Sequence, residues 1–236
     1  MLAVVLAIVA GFIDAHVYVH VTPVFVANMS GNLIHLGIFT GLGHWRESAG
    51  SAVAVVAFVL GVIAAVTHHD HRLRSGRSLA ADSLLQVEAA LVLVIPLLRL
   101  ATGNGFSAAP RLADYPVLIV AAFAMGIQAA ALRRVGEIAV ATTYGTGAIV
   151  RIGEKLALAA RRADRATAHR RSVTIAVLVV VLVSYATGAA VAAVIGGATW
   201  ILVLPGLTLA VTSVAVRRGQ HDLESDEASE PSALPS

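Results

Sequence analysis

Eight polar side chains stand where an apolar chain would be expected to carry none: Asp14, Asn28, Ser30, Asn32, Glu88, Gln128, Tyr144 and Thr146. A carboxylate inside a membrane span costs about 2.5–3.5 kcal/mol on insertion scales, so Asp14 and Glu88 are expected to face a cavity or a partner, either as proton or cation sites or as structural acids. Amides and hydroxyls bind ions and small polar molecules without strong charge, and Asn28, Ser30 and Asn32 are grouped closely enough to line a solute path. They could equally cap a broken helix and satisfy its free backbone groups. Capping accounts for one or two of them and leaves the rest, with Tyr144 and Thr146, unexplained. Gln128 is read as a neutral counterpart of the Asp14 region.

What must position these groups is a membrane chain. Of 236 residues 58% are hydrophobic and 13% charged, and the mean hydropathy is +0.82, outside the range of a soluble domain. From Val173 to Val216 there is no charged residue and no histidine. At about 1.5 Å per residue that run would be roughly twice as long as a bilayer core requires, so it must turn back, and Gly196-Gly197 is the break. Cysteine is absent, which removes disulfides, thiolate metal sites and a cysteine nucleophile together.

Six stretches are long and apolar enough to cross: about 2–21, 49–67, 79–101, 116–132, 173–195 and 198–216. The first lacks a basic leader and a small-residue cleavage site, so it reads as a span and not as a signal peptide. Two further stretches, about 24–43 and 138–160, carry too many glycines and polar groups to face lipid, and 24–43 is expected to dip into the membrane from one side. With six crossings, all but Arg46, Arg99 and Arg111 of the 17 Lys and Arg fall on one side. The positive-inside rule then puts both termini in the cytoplasm of a bacterial cell with the protein in the inner membrane. The basic pI of about 9.8 is explained by this bias, so no nucleic-acid partner is expected.

The predicted fold is all-α: one membrane domain over 1–218, followed at 219–236 by a disordered acidic cytoplasmic tail. Ser30-Gly31-Asn32-Leu33-Ile34-His35-Leu36-Gly37 aligns with Thr146-Gly147-Ala148-Ile149-Val150-Arg151-Ile152-Gly153, and Gly11-Phe12-Ile13 with Gly126-Ile127-Gln128. The copies, about 2–101 and 116–216, each hold three spans and a broken polar segment. An odd number of spans per copy makes the second inverted relative to the first, as in many transporters. Gly61 with Ala65 and Gly188 with Ala192 have the small-residue spacing that lets helices approach closely.

GFIDA followed by FVANMSGNLIHLG, and later MGIQAAALRR with TTYGTGAIVRIGE, resembles the YoaK-like family of bacterial membrane proteins, a family of unknown function, over essentially 5–216. The resemblance implies an inner-membrane protein of about six helices and no established activity. Ser30 stands where the family usually has threonine, which keeps the hydroxyl. Ala129 stands where it usually has a polar residue, which removes a polar contact from the second half.

His68-His69-Asp70-His71 is read as a solvated loop in preference to a metal site, and His16, His20 and His44 as interfacial. No Walker loop, dinucleotide fingerprint, HExxH or GxSxG element occurs, so neither enzyme activity nor a cofactor is expected. The leading expectation is a transporter or channel for a small polar or ionic solute in a lipid bilayer. The alternative is a membrane scaffold that binds a partner protein through the basic loop at 161–171 and the acidic tail. A homo-oligomer stays open.

Overall fold

A computed structural model of the chain describes residues 1–75, 81–103, 105–132, 145–159 and 165–229; for 81–82, 132, 159, 165–168 and 219–229 it gives the backbone alone. Eight α-helices follow one another among the described residues: α1 (Leu2–His20), α2 (Met29–Gly41), α3 (Trp45–Arg74), α4 (Ala81–Thr102), α5 (Tyr115–Leu132), α6 (Gly145–Ala159), α7 (Arg165–Ile195) and α8 (Val203–Ser229). Six of them, α1, α3, α4, α5, α7 and α8, are long and apolar enough to cross a membrane. At about 1.5 Å per residue, α2 and α6 reach about 20 Å and about 22 Å, short of a 30 Å hydrocarbon core.

The polarity is that of a membrane bundle. Val56, Val59, Leu60 and Ile63 on α3, Val179, Val180 and Val183 on α7, and Leu207 and Val211 on α8 are exposed, whereas Asp14, His16, Glu88, Arg99 and Gln128 are buried. Apolar side chains point outward because lipid accepts them. Polar groups turn inward because lipid offers them no partner.

Two long pairings organise the bundle: α1 packs along α7, and α3 along α5. Each pair runs parallel. Ala7 packs with Val181 in the first half of α1, and at its far end the His20 ring meets the Ala192 carbonyl at 3.2 Å. Likewise Arg46, at the start of α3, donates to the Pro110 carbonyl just before α5 at 3.1 Å, and further on Ala65 lies in one apolar cluster with Ile127 and Ala130. Both crossings are made by glycines. A Cβ on Gly11 would strike the Tyr185 carbonyl and one on Gly188 that of Ile8; a Cβ on Gly126 would strike the Phe58 carbonyl and one on Gly61 that of Phe123. Because the obstacle is backbone, only glycine permits the approach. Helices α4 and α8 pack on each other, while α2 lies along α3 and α6 along α7.

Several expectations need correction. His68 to Asp70 do not form a loop: α3 continues through them to Arg74, Asp70 pairs with Arg74 at 2.9 Å, and His69 is buried. The last turn of α3 tolerates this because its His71, Arg72 and Arg74 complement the helix dipole. His16 does not face outward at the end of α1; it is fully buried among the helices. The basic stretch at 161–171 becomes helical from Arg165. Beyond Gly219 the backbone of α8 stays helical through Ser229, since an existing helix propagates at little cost through residues such as Leu223 and Glu224. The turn at Gly196 is where the sequence suggested, with φ at +92°, a value that favours glycine.

Candidate functional site

The chain leaves α1 at His20 and doubles back, so that the extended stretch 21–28 returns to the level of Asp14. Six residues of helix separate Asp14 from His20, so the dip descends about 9 Å below the end of α1. Asp14 holds it there. The N–H groups of Val26 and Ala27 donate to Asp14 Oδ1 at 2.6 and 2.7 Å, and the Tyr185 hydroxyl of α7 donates to Oδ2 at 2.5 Å. A second clamp closes the dip on itself: Phe25 N–H donates to Asn32 Oδ1 at 3.0 Å, and Asn32 Nδ2 donates to the Phe25 carbonyl at 2.6 Å. These bonds meet the demand of non-helical backbone at depth, where an unpaired amide is expensive.

At the bottom of the dip α2 begins and runs back outward. Asn28 caps it, its side-chain oxygen accepting from Gly31 N–H at 3.3 Å and from the Ser30 hydroxyl at 2.9 Å. Across a cavity of about 280 Å³ lies the first turn of α6. Ala27, Met29 and Ser30 form one wall, Gly145, Thr146 and Gly147 the other, and Phe58 of α3 contributes between them. The N-terminal ends of two short helices from opposite halves of the chain therefore share one space. Its described side-chain polar groups are the hydroxyls of Ser30 and Thr146, and none of those lining residues is ionisable.

Of the residues singled out from sequence, Ser30 and Thr146 come together at this cavity, and Asn28 stands beside it as the cap of α2. Asp14 and Asn32 are buried and bonded to the dip backbone, so they shape the wall from behind. Gln128 lies at neither wall: its Nε2 donates to the Leu6 carbonyl of α1 at 2.6 Å, and its Oε1 has no partner among the described residues. Glu88 is fully buried on α4, with neither carboxyl oxygen partnered among the described residues, and does not border the cavity. Tyr144 lies outside the described residues.

Two contributors had escaped the sequence reading, Tyr185 and Phe58. Tyr185 carried a signal, being the one phenol in the uncharged run that makes α7; a buried tyrosine hydroxyl usually finds a partner. Phe58 carried none.

Residues 2–215 match the model of a family described as "Protein of unknown function (DUF1275)". The chain is also 27% identical over 154 residues to the UPF0700 transmembrane protein YoaK of Bacillus subtilis (strain 168), a match that covers 64% of this chain and 64% of that protein. The matched part is thus less than two thirds of that relative's length. No solved structure matches.

Proposed function

The chain belongs to the DUF1275 family, a family whose activity is unknown, and from that premise we propose that this multi-pass membrane protein passes a small polar or ionic solute through the space between α2 and α6. One observation carries the reading: the N-terminal ends of two short helices, one from each half of the chain, share a cavity lined by Ser30 and Thr146. We read the halves as inverted repeats. The reciprocal pairings of α1 with α7 and α3 with α5, and the matched glycine crossings, favour this. In such architectures the interrupted helices flank the solute near the midplane and the repeats rock around it.

The residues divide the labour. Hydroxyls of Ser30 and Thr146, beside the N-terminal turns of α2 and α6, offer hydrogen bonds to the solute, and the partial positive charge of both ends disfavours a bare cation. Asp14, Asn32 and Tyr185 keep the dip in place. By the distribution of its basic residues the protein belongs in the bacterial inner membrane with both termini cytoplasmic. Its role is transport and not catalysis.

The test is flux into vesicles reconstituted with the purified chain, over a panel of small polar solutes and ions. Ser30→Trp and Thr146→Trp, which fill the cavity from exposed positions, are each expected to lower flux at least tenfold while the protein still folds. Flux equal to that of empty vesicles for every solute, or flux indifferent to both tryptophans, overturns the reading.

A further inference from the structure

Arg99 is only 1% exposed, three residues before the end of α4, and it is under-partnered. Its Nη2 donates to the His20 carbonyl at 3.2 Å; its Nε and Nη1 meet no acceptor among the described residues. A guanidinium cannot shed its charge in a protein, and a buried charge with unpaired donors is among the most expensive arrangements a fold can hold. The surroundings deepen the deficit. His16 is fully buried with both ring nitrogens unpartnered, its ring 5.1 Å from that of His20. Electrostatically His16 feels both His20 and Arg99.

Among the described residues no carboxylate is free to answer. Glu88 lies on the same helix, eleven residues earlier, about 16 Å away along the axis. Asp114 is within electrostatic reach of Arg99, but it is already committed to Arg111. Its Oδ1 accepts from Arg111 Nη2 at 2.9 Å, and its Oδ2 accepts from the Arg111 N–H, Arg111 Nε and the Ser107 hydroxyl at 2.8, 3.1 and 2.7 Å. With Arg111 and Asp114 cancelling one another, the Arg99 charge has no carboxylate bonded to it among the described residues. It lies beneath a connection pinned by Ser107 N–H, which donates to the Val21 carbonyl at 2.9 Å.

We propose that the cluster of Arg99, His16 and His20, at the ends of α1 and α4, binds a small monovalent anion of the size of chloride or nitrate. An Nη1–H of Arg99, free of protein acceptors among the described residues, donates to it, and the His16 ring supplies a further N–H. The site is too enclosed for a lipid phosphate, whose head would need an open lateral path to a residue 1% exposed. It is separate from the cavity between α2 and α6 and stands whether or not that cavity passes a solute.

The test uses the purified full chain in neutral detergent freed of anionic lipid. Sodium chloride or sodium nitrate is titrated against sodium gluconate at constant ionic strength while unfolding is followed. The expected result is a saturable stabilisation, with the unfolding constant lowered about 100-fold when chloride reaches 100 times its Kd. Arg99→Met should fold and be indifferent to chloride, and His16→Phe should weaken the chloride effect about tenfold. Because Arg99→Met could fail to fold, wild-type crystals grown with bromide give an independent reading: an anomalous peak within hydrogen-bond distance of Arg99 Nη1 is expected. Equal stability in chloride and gluconate, no bromide peak, survival of the effect in Arg99→Met, or stabilisation by added phosphatidylglycerol alone overturns the proposal.

Discussion

The two glycine crossings of the bundle are built alike and furnished differently. Where α1 crosses α7, Asp14 stands three residues after Gly11 and Tyr185 three before Gly188; where α5 crosses α3, the same positions hold Ala129 after Gly126 and Phe58 before Gly61. An acid and a hydroxyl bonded at 2.5 Å at one crossing are matched by a methyl and a phenyl ring at the other. The polarity is absent from both partners together: the Tyr185 hydroxyl without Asp14 would be a buried orphan, whereas Asp14 without Tyr185 would keep only the two dip amides. The backbone approach is thus the shared element of the two halves, and the acid–phenol pair is an addition that clamps only the first dip. The second half turns its polar residue elsewhere, Gln128 bonding to Leu6 on α1.

That contrast sets a ladder of expected effects on stability in micelles. The largest belongs to Asp14→Leu, which strands two dip amides and a phenol and should cost about 4 kcal/mol at roughly 1–3 kcal/mol per buried orphan. Ala129→Leu, at the matching position, should behave as ordinary core overpacking, about 1–3 kcal/mol. Equal losses at the two sites would abolish the contrast. Next, Gly11→Val and Gly126→Val should each cost about 3 kcal/mol, and by similar amounts, because both side chains would meet a backbone carbonyl. A large loss at one and none at the other would mean that the crossings are not equivalent. Tyr185→Phe, which removes a single hydroxyl, should cost about 1.5 kcal/mol, and a double-mutant cycle with Asp14→Leu should show strong non-additivity, as contacting residues do. The smallest effect is expected of Phe58→Tyr, which adds a hydroxyl beside the cavity, where water can reach it: within about 0.5 kcal/mol. A large penalty there would mean that the space is dry.

Much of this was readable from local pattern. The six spans announce themselves by hydropathy, and the two short helices by the polar and glycine residues that interrupt it, since both signals reside in consecutive residues. Asp14 and the Asn28–Asn32 cluster stood out because lipid makes such groups costly. What could not be read was partnership. Nothing near Gly61 names α5 as its neighbour, and the bond from Tyr185 to Asp14 spans 171 positions. Likewise His16 and His20 read as separate interfacial residues; only the arrival of Arg99 from another helix joins them in one basic cluster. Side chains that act by meeting distant ones leave no periodic trace.

The account rests on the two broken segments facing each other, and the cysteine-free chain makes that measurable. Ser30→Cys combined with Thr146→Cys, treated with a short bifunctional thiol reagent in native membranes, is predicted to join the two positions within a single chain, while either cysteine alone gives no such product. Labelling of both cysteines without any intrachain link, or links formed only between separate chains, would contradict it.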